Sequence, residues 1–179
     1  MADLSKPLRT MKRILILLLA LMPIMINAQE YIDMDQSTAT GRTVVTKPAT
    51  IISGDDAYLM RFVYSKLGDN EMYYTTMIFS NQESAWIIAP NSIGTFHMAS
   101  GKDIKLKTLI DSESQRQSNG KYMITSSYII PTNNAQDMLD ALLRISVKTS
   151  SGDITIPIDY DTASFLMMSY LELLSKTGR

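Results

Sequence analysis

His97 is the only histidine in the 179 residues, and histidine is the one side chain whose ordinary pKa lies near neutrality, where a general base works best. Asp103 follows it closely, and Ser92 and Ser100 lie on either side. A serine–histidine–aspartate relay for acyl transfer is therefore the first chemistry to consider. Two observations weigh against it. No Gly-x-Ser-x-Gly elbow presents a nucleophile, and a lone histidine on a strand also serves as an ordinary polar residue. Zinc fits worse still: with one histidine and no cysteine, the remaining ligands would all be carboxylates or water.

The carboxylates offer further candidates. Asp159 and Asp161 flank Tyr160, and folding can bring Asp153 or the Asp55–Asp56 pair to them as a cation site. Calcium takes six to eight oxygens, however, and no Asp-x-Asp-x-Asp-Gly loop supplies them. The plainer reading makes Asp161 a helix N-cap and Asp153 a turn residue. Glu71, Glu83 and Asp103 lie near strand ends, where glycosidase chemistry would need two carboxyl groups about 5 to 10 Å apart. Sequence spacing does not set that distance. No cofactor is expected.

Tyr73 and Tyr74 are adjacent, so a strand sends one to each face, and Trp86 is the single tryptophan. If one sheet face is open to solvent, Tyr73 and Trp86 form a platform for a sugar ring or a peptide. The competing reading buries Trp86 beneath a helix.

The elements that must position these residues are mostly strands. Ala57 to Lys66 alternates, with Tyr58, Met60, Phe62 and Tyr64 on one face. Leu67-Gly68-Asp69-Asn70 is a turn, and Met72 to Phe79 returns as the second strand of a hairpin. Short strands follow at Ala85 to Ile88, Ile93 to Met98 and Ile104 to Thr108. Asp111 to Gly120 reads as a polar loop before a strand from Lys121 to Ile130. Asn133 and Gln136 have capping-box spacing for a short helix with Ala135, Met138, Leu139 and Leu142 on its buried stripe. Strands around Ile145 and Ile156 come next, and Pro157 places the latter at a sheet edge or leaves its nitrogen side unpaired. The last helix starts at Asp161, buries Ala163, Leu166, Met167, Tyr170, Leu173 and Leu174, and stops at Gly178.

The expected fold is α+β: a mainly antiparallel sheet or incomplete β-sandwich of about seven to nine strands, with two short helices in the C-terminal half. A β-sandwich with the last helix appended is the alternative. Residues 29–54 read as a polar N-terminal arm, and 55–179 as a single globular β-rich domain.

Residues 1–28 read as a signal peptide. Lys6, Arg9, Lys12 and Arg13 form a basic region, Ile14 to Ile26 an apolar run interrupted by Pro23, and Ile26-Asn27-Ala28 a small-residue cleavage site. The run falls short of the roughly 20 residues that cross a bilayer. Starts at Met1 and Met11 give the same mature protein. With no cysteine, the lipoprotein anchor is missing, so the expected product is soluble in periplasm or medium and free of the membrane after cleavage. Cleavage leaves thirteen lysines and arginines against seventeen aspartates and glutamates, a net charge of minus four. That balance argues against nucleic acid as a partner.

The Ala28–Gln29 junction resembles signal peptidase sites of Bacteroidota. The order of elements from Lys121 to Leu174 is similar to small exported domains of unknown function common in that group. The resemblance implies a bacterial envelope protein and this α+β layout, and carries no activity with it. The expected function is thus an exported, non-catalytic binding or interaction module whose partner is an envelope protein, a peptide or a glycan. Two alternatives stand beside it: a small secreted hydrolase using His97 or a carboxylate pair, and an assembly subunit pairing through an edge strand.

Overall fold

Alternation of large apolar and polar residues drives the central hairpin. Strands β4 (Asp56–Leu67) and β5 (Asn70–Gln82) pair from Ala57 opposite Ser80 to Leu67 opposite Asn70. Tyr58, Met60, Phe62 and Tyr64 of β4 join Tyr73, Met77 and Phe79 of β5 in one buried layer. Gly68 takes a φ of 59° in the turn between them, a conformation that favours glycine. The computed structural model describes residues 31–88 and 92–178; the signal segment expected at 1–28 lies outside the described residues.

The other strands are β1 (Ile32–Ser37), β2 (Gly41–Thr46), β3 (Ala49–Ser53), β6 (Ile93–Met98), β7 (Asp103–Arg116), β8 (Tyr122–Ile130), β9 (Leu142–Thr149) and β10 (Gly152–Pro157). All belong to one sheet, ordered β1-β2-β4-β5-β8-β7-β6-β9-β10, with β3 pairing β4 as well. Every pairing is antiparallel. The described residues thus hold ten strands and one α-helix, where the sequence predicts about seven to nine strands and two helices.

Three local differences account for the change. Residues 32–53, expected as an arm, form β1 to β3 and pair into the sheet. Asp111 to Arg116, expected as loop, prolongs β7 against β8 through two register shifts. The expected helix after Pro131 is reduced to two 3-10 turns, Thr132–Asn134 and Asp137–Leu139, because Leu142 already belongs to β9 and too few residues remain for a helical nucleus. In the other direction, Ala85 to Ile88 is irregular although expected as a strand, and it sends Trp86 and Ile88 into the core.

Strands β2 and β3 run beside the two halves of β4 and are interrupted by Lys47–Pro48. At that break, the Phe62 amide donates to the Thr46 hydroxyl at 2.9 Å, so a side chain satisfies a donor that the ladder abandons. Thr46 is fully buried. Replacing it by valine keeps the shape and orphans the amide, with an expected loss of about 1–3 kcal/mol in thermal or urea unfolding. No loss in the Thr46→Val variant would contradict this role.

Helix α1 (Tyr160–Thr177) closes the buried side. Asp159, not Asp161, is its N-cap: one carboxylate oxygen accepts the Thr162 amide at 2.9 Å. Gly178 ends it in the left-handed region, as predicted. The buried stripe is Ala163, Leu166, Ser169, Tyr170, Leu173 and Leu174. It meets β1 to β4 and also β9, so the sheet curls to bring strands from both ends of its order to one helix. Pro157 lies on β10, an edge strand paired only with β9.

Burial pushes the hydroxyls of Tyr58 and Tyr128 up to about 12, from an ordinary value of 10. Below pH 10 both states keep these protons. Between about 10 and 12 the unfolded chain ionises first, so stability falls across that window. An alkaline titration should show unfolding by circular dichroism together with tyrosine ionisation at pH values above 10; ionisation of all tyrosines near 10 in a folded chain would contradict it.

Candidate functional site

Flanking residues decide which way His97 faces. Phe96 and Met98 of β6 point into the core, so His97, like Thr95 and Ile93, stands on the outer face of the sheet. Asp103 opens β7 directly opposite His97, and on the other side Arg144 of β9 is its register partner. Ser146 lies opposite Thr95 between the buried Ile145 and Val147, and therefore shares the outer face.

These three strands assemble a relay. His97 Nδ1 lies 2.7 Å from Asp103 Oδ1, and His97 Nε2 lies 2.9 Å from Ser146 Oγ. A carboxylate only accepts, so Nδ1 carries the proton and Nε2 accepts the Ser146 hydroxyl. The His97 side chain is 18% exposed and that of Asp103 is 54%. Histidine and aspartate are thus paired as the sequence suggested, while the serine is Ser146. Ser92 and Ser100 are excluded because both ring nitrogens are taken; the Ser100 amide donates to Asp140, and the Ser92 carbonyl accepts from Thr108.

Around this relay the outer face holds four cations against two carboxylates, Asp103 and Asp153, the latter directly opposite Lys148. Lys105 lies opposite Thr95 and Lys107 opposite Ile93, while Arg144 and Lys148 stand two residues either side of Ser146 on β9. Same-face neighbours along a strand are about 7 Å apart, and β7 to β9 spans about 10 Å, so the four charges share one patch. Among the described residues none of the four enters an ion pair; the pairs between charged side chains are Arg42–Asp35, Lys102–Asp137 and Lys121–Glu83, and His97–Asp103 becomes one only when the imidazole is protonated. Thr95, Ser146 and Thr155 place hydroxyls between the cations.

Of the other sequence candidates, Asp153 shares this face opposite Lys148 and the rest lie elsewhere. Tyr73 is 1% exposed and its hydroxyl meets Thr177 at 2.7 Å; Trp86 is 5% exposed, donates to Gln82 at 3.2 Å and packs edge-on to Phe79. Both rings fill the core, so an exposed platform built from them does not form. Asp159 gives its second oxygen to the Thr162 hydroxyl at 2.6 Å, and these hydrogen bonds hold its carboxyl below the ordinary range. Asp161 lies in the first turn of α1, beside a shallow crevice with Pro48 and Phe165. Asp56 accepts from Tyr58 and Gln82. Among the described residues no three histidines or carboxylates gather as metal ligands, and no helix is long and apolar enough to cross a membrane.

A polar groove of about 560 Å³ lies at the far end of the sheet, between the β1–β2 and β4–β5 turns. Its guanidinium, Arg42, is already committed to Asp35 through two hydrogen bonds. Comparison of the chain with protein-family models, curated proteins and solved structures finds no match.

Proposed function

We propose that the chain is an exported binding module of a bacterial envelope, and that it holds an acidic glycan on the outer face of β7, β6, β9 and β10. The observation that carries this reading is the group of four cations without ion-pair partners, concentrated on one face of a mature domain whose net charge is minus four. Four exposed cations grouped on one face of a net-acidic chain raise the local concentration of an anionic ligand and orient it.

The same face favours a glycan over a protein. Interleaved threonine and serine hydroxyls suit a hydrated ligand rich in hydroxyls. Protein hot spots centre on aromatic anchors, and the only large apolar side chain among the three residues that β6 turns outward is Ile93, 42% exposed. The reading of residues 1–28 as a signal peptide supports export.

Titration of the mature protein with polygalacturonate and with a neutral glucan of equal length tests the proposal. Binding to the acidic polymer that weakens with salt, and none to the neutral one, is expected. Equal binding to both, or to neither, would sink it.

A further inference from the structure

Binding alone does not require a histidine held between a carboxylate and a serine. We propose that Ser146 is an acyl-accepting nucleophile and that this face removes O-acyl esters from an acidic glycan. The glycan part rests on the reading of the face given above. The nucleophile part rests on geometry: Ser146 and His97 are 2.9 Å apart, and Asp103 orients the imidazole from 2.7 Å. A nucleophile and base within hydrogen-bond reach, with the base held by a third group, is the arrangement that activates a serine.

Strand pairing fixes the three positions. β6 is paired on both sides, so His97 cannot shift sideways from either partner. The three side chains come from separate strands, with Ser146 49 residues from His97 in sequence. The register of β6 against β9 brings Ser146 to His97, and that of β6 against β7 brings Asp103.

The chemistry balances with water alone. Ser146 Oγ bonds to the acyl carbon while its proton passes to His97 Nε2. The bond from that carbon to the sugar oxygen then breaks, and His97 returns the proton to the leaving sugar hydroxyl. Water repeats the sequence on the acyl-serine, releasing a carboxylic acid and restoring Ser146.

The backbone N–H groups around Ser146 lie in the sheet plane, between β6 and β10, so no pair of amides faces the developing oxyanion. Side-chain cations take that role, with Arg144 and Lys148 flanking Ser146 on the same strand face. This predicts a slow esterase that depends on Arg144, and it matches the substrate: the cations that hold the polyanion also meet the charge that forms on it.

The test uses the mature chain with a fluorophosphonate probe, read by intact mass and peptide mapping, and acetate release from O-acetylated polygalacturonate. One adduct at Ser146 is expected, with acetate release reduced at least about 100-fold in Ser146→Ala and His97→Asn, in line with the contribution of a general base. Circular dichroism and unfolding midpoints of both variants separate lost chemistry from lost folding. A protein that binds polygalacturonate yet forms no adduct and releases no acetate overturns the nucleophile and leaves the binding reading standing. An adduct at Ser146 in a protein that does not bind the polymer overturns both the glycan substrate and that reading.

Discussion

Replacing Phe62 by alanine should cost about 3–5 kcal/mol of folding stability. Phe62 is 1% exposed at the centre of β4 and packs edge-on to Tyr170 of α1, with ring centroids 5.0 Å apart. It joins sheet to helix in a domain without a disulfide, so the stability lost comes out of a packed core alone. Domains of this size hold about 5–15 kcal/mol in total, and the variant should lose about a fifth or more of that. The midpoint of urea unfolding should fall with little change in slope. A loss below about 1 kcal/mol would mean that Phe62 is not under the helix.

The second large effect concerns the outer face. Reversing Lys105 and Arg144 together to glutamate changes the charge of the patch by four units and leaves the core untouched, since both side chains are solvent-exposed. Affinity for polygalacturonate should fall on the order of 10- to 100-fold at low salt, chiefly through slower association, and the difference should shrink as salt is added. Unfolding midpoints should stay nearly unchanged, because exposed charges contribute little to stability. Reversing Lys66 and Lys176, which lie outside this face, serves as the control. Equal weakening by the control pair would show that net charge, not the patch, governs binding.

Much of the architecture can be read from alternation. The β4–β5 hairpin announces itself in Tyr58, Met60, Phe62 and Tyr64, and the last helix in a stripe from Ala163 to Leu174. Where alternation disappears the reading fails. Asp111 to Arg116 carries polar residues at every position, so nothing local marks it as strand; its partner β8 holds it in the sheet. Ala85 to Ile88 has the opposite problem. Its apolar residues suit a strand, yet they are used to fill the core beside Phe79. Propensity reports what a segment tolerates, and tertiary packing decides.

The site divides in the same way. The facing of His97 and of Ser146 is legible, because each stands between two buried apolar neighbours. Their meeting is not, since it needs the pairing of β6 with β9 and skips β7 and β8 in chain order. Ser92 and Ser100 are closer in sequence and lose to a residue brought in by register. Tyr73 and Trp86 mislead for a related reason: strand parity says which residues share a face, while the position of the final helix says which face is buried.

The most direct measurement is backbone and side-chain NMR of residues 29–179 titrated with oligogalacturonate. The account predicts that shift changes cluster at Lys105, Lys107, Arg144, Lys148 and the His97 ring, and fade as salt rises. Changes centred on the groove between the β1–β2 and β4–β5 turns, or none at any saturating concentration, would contradict it.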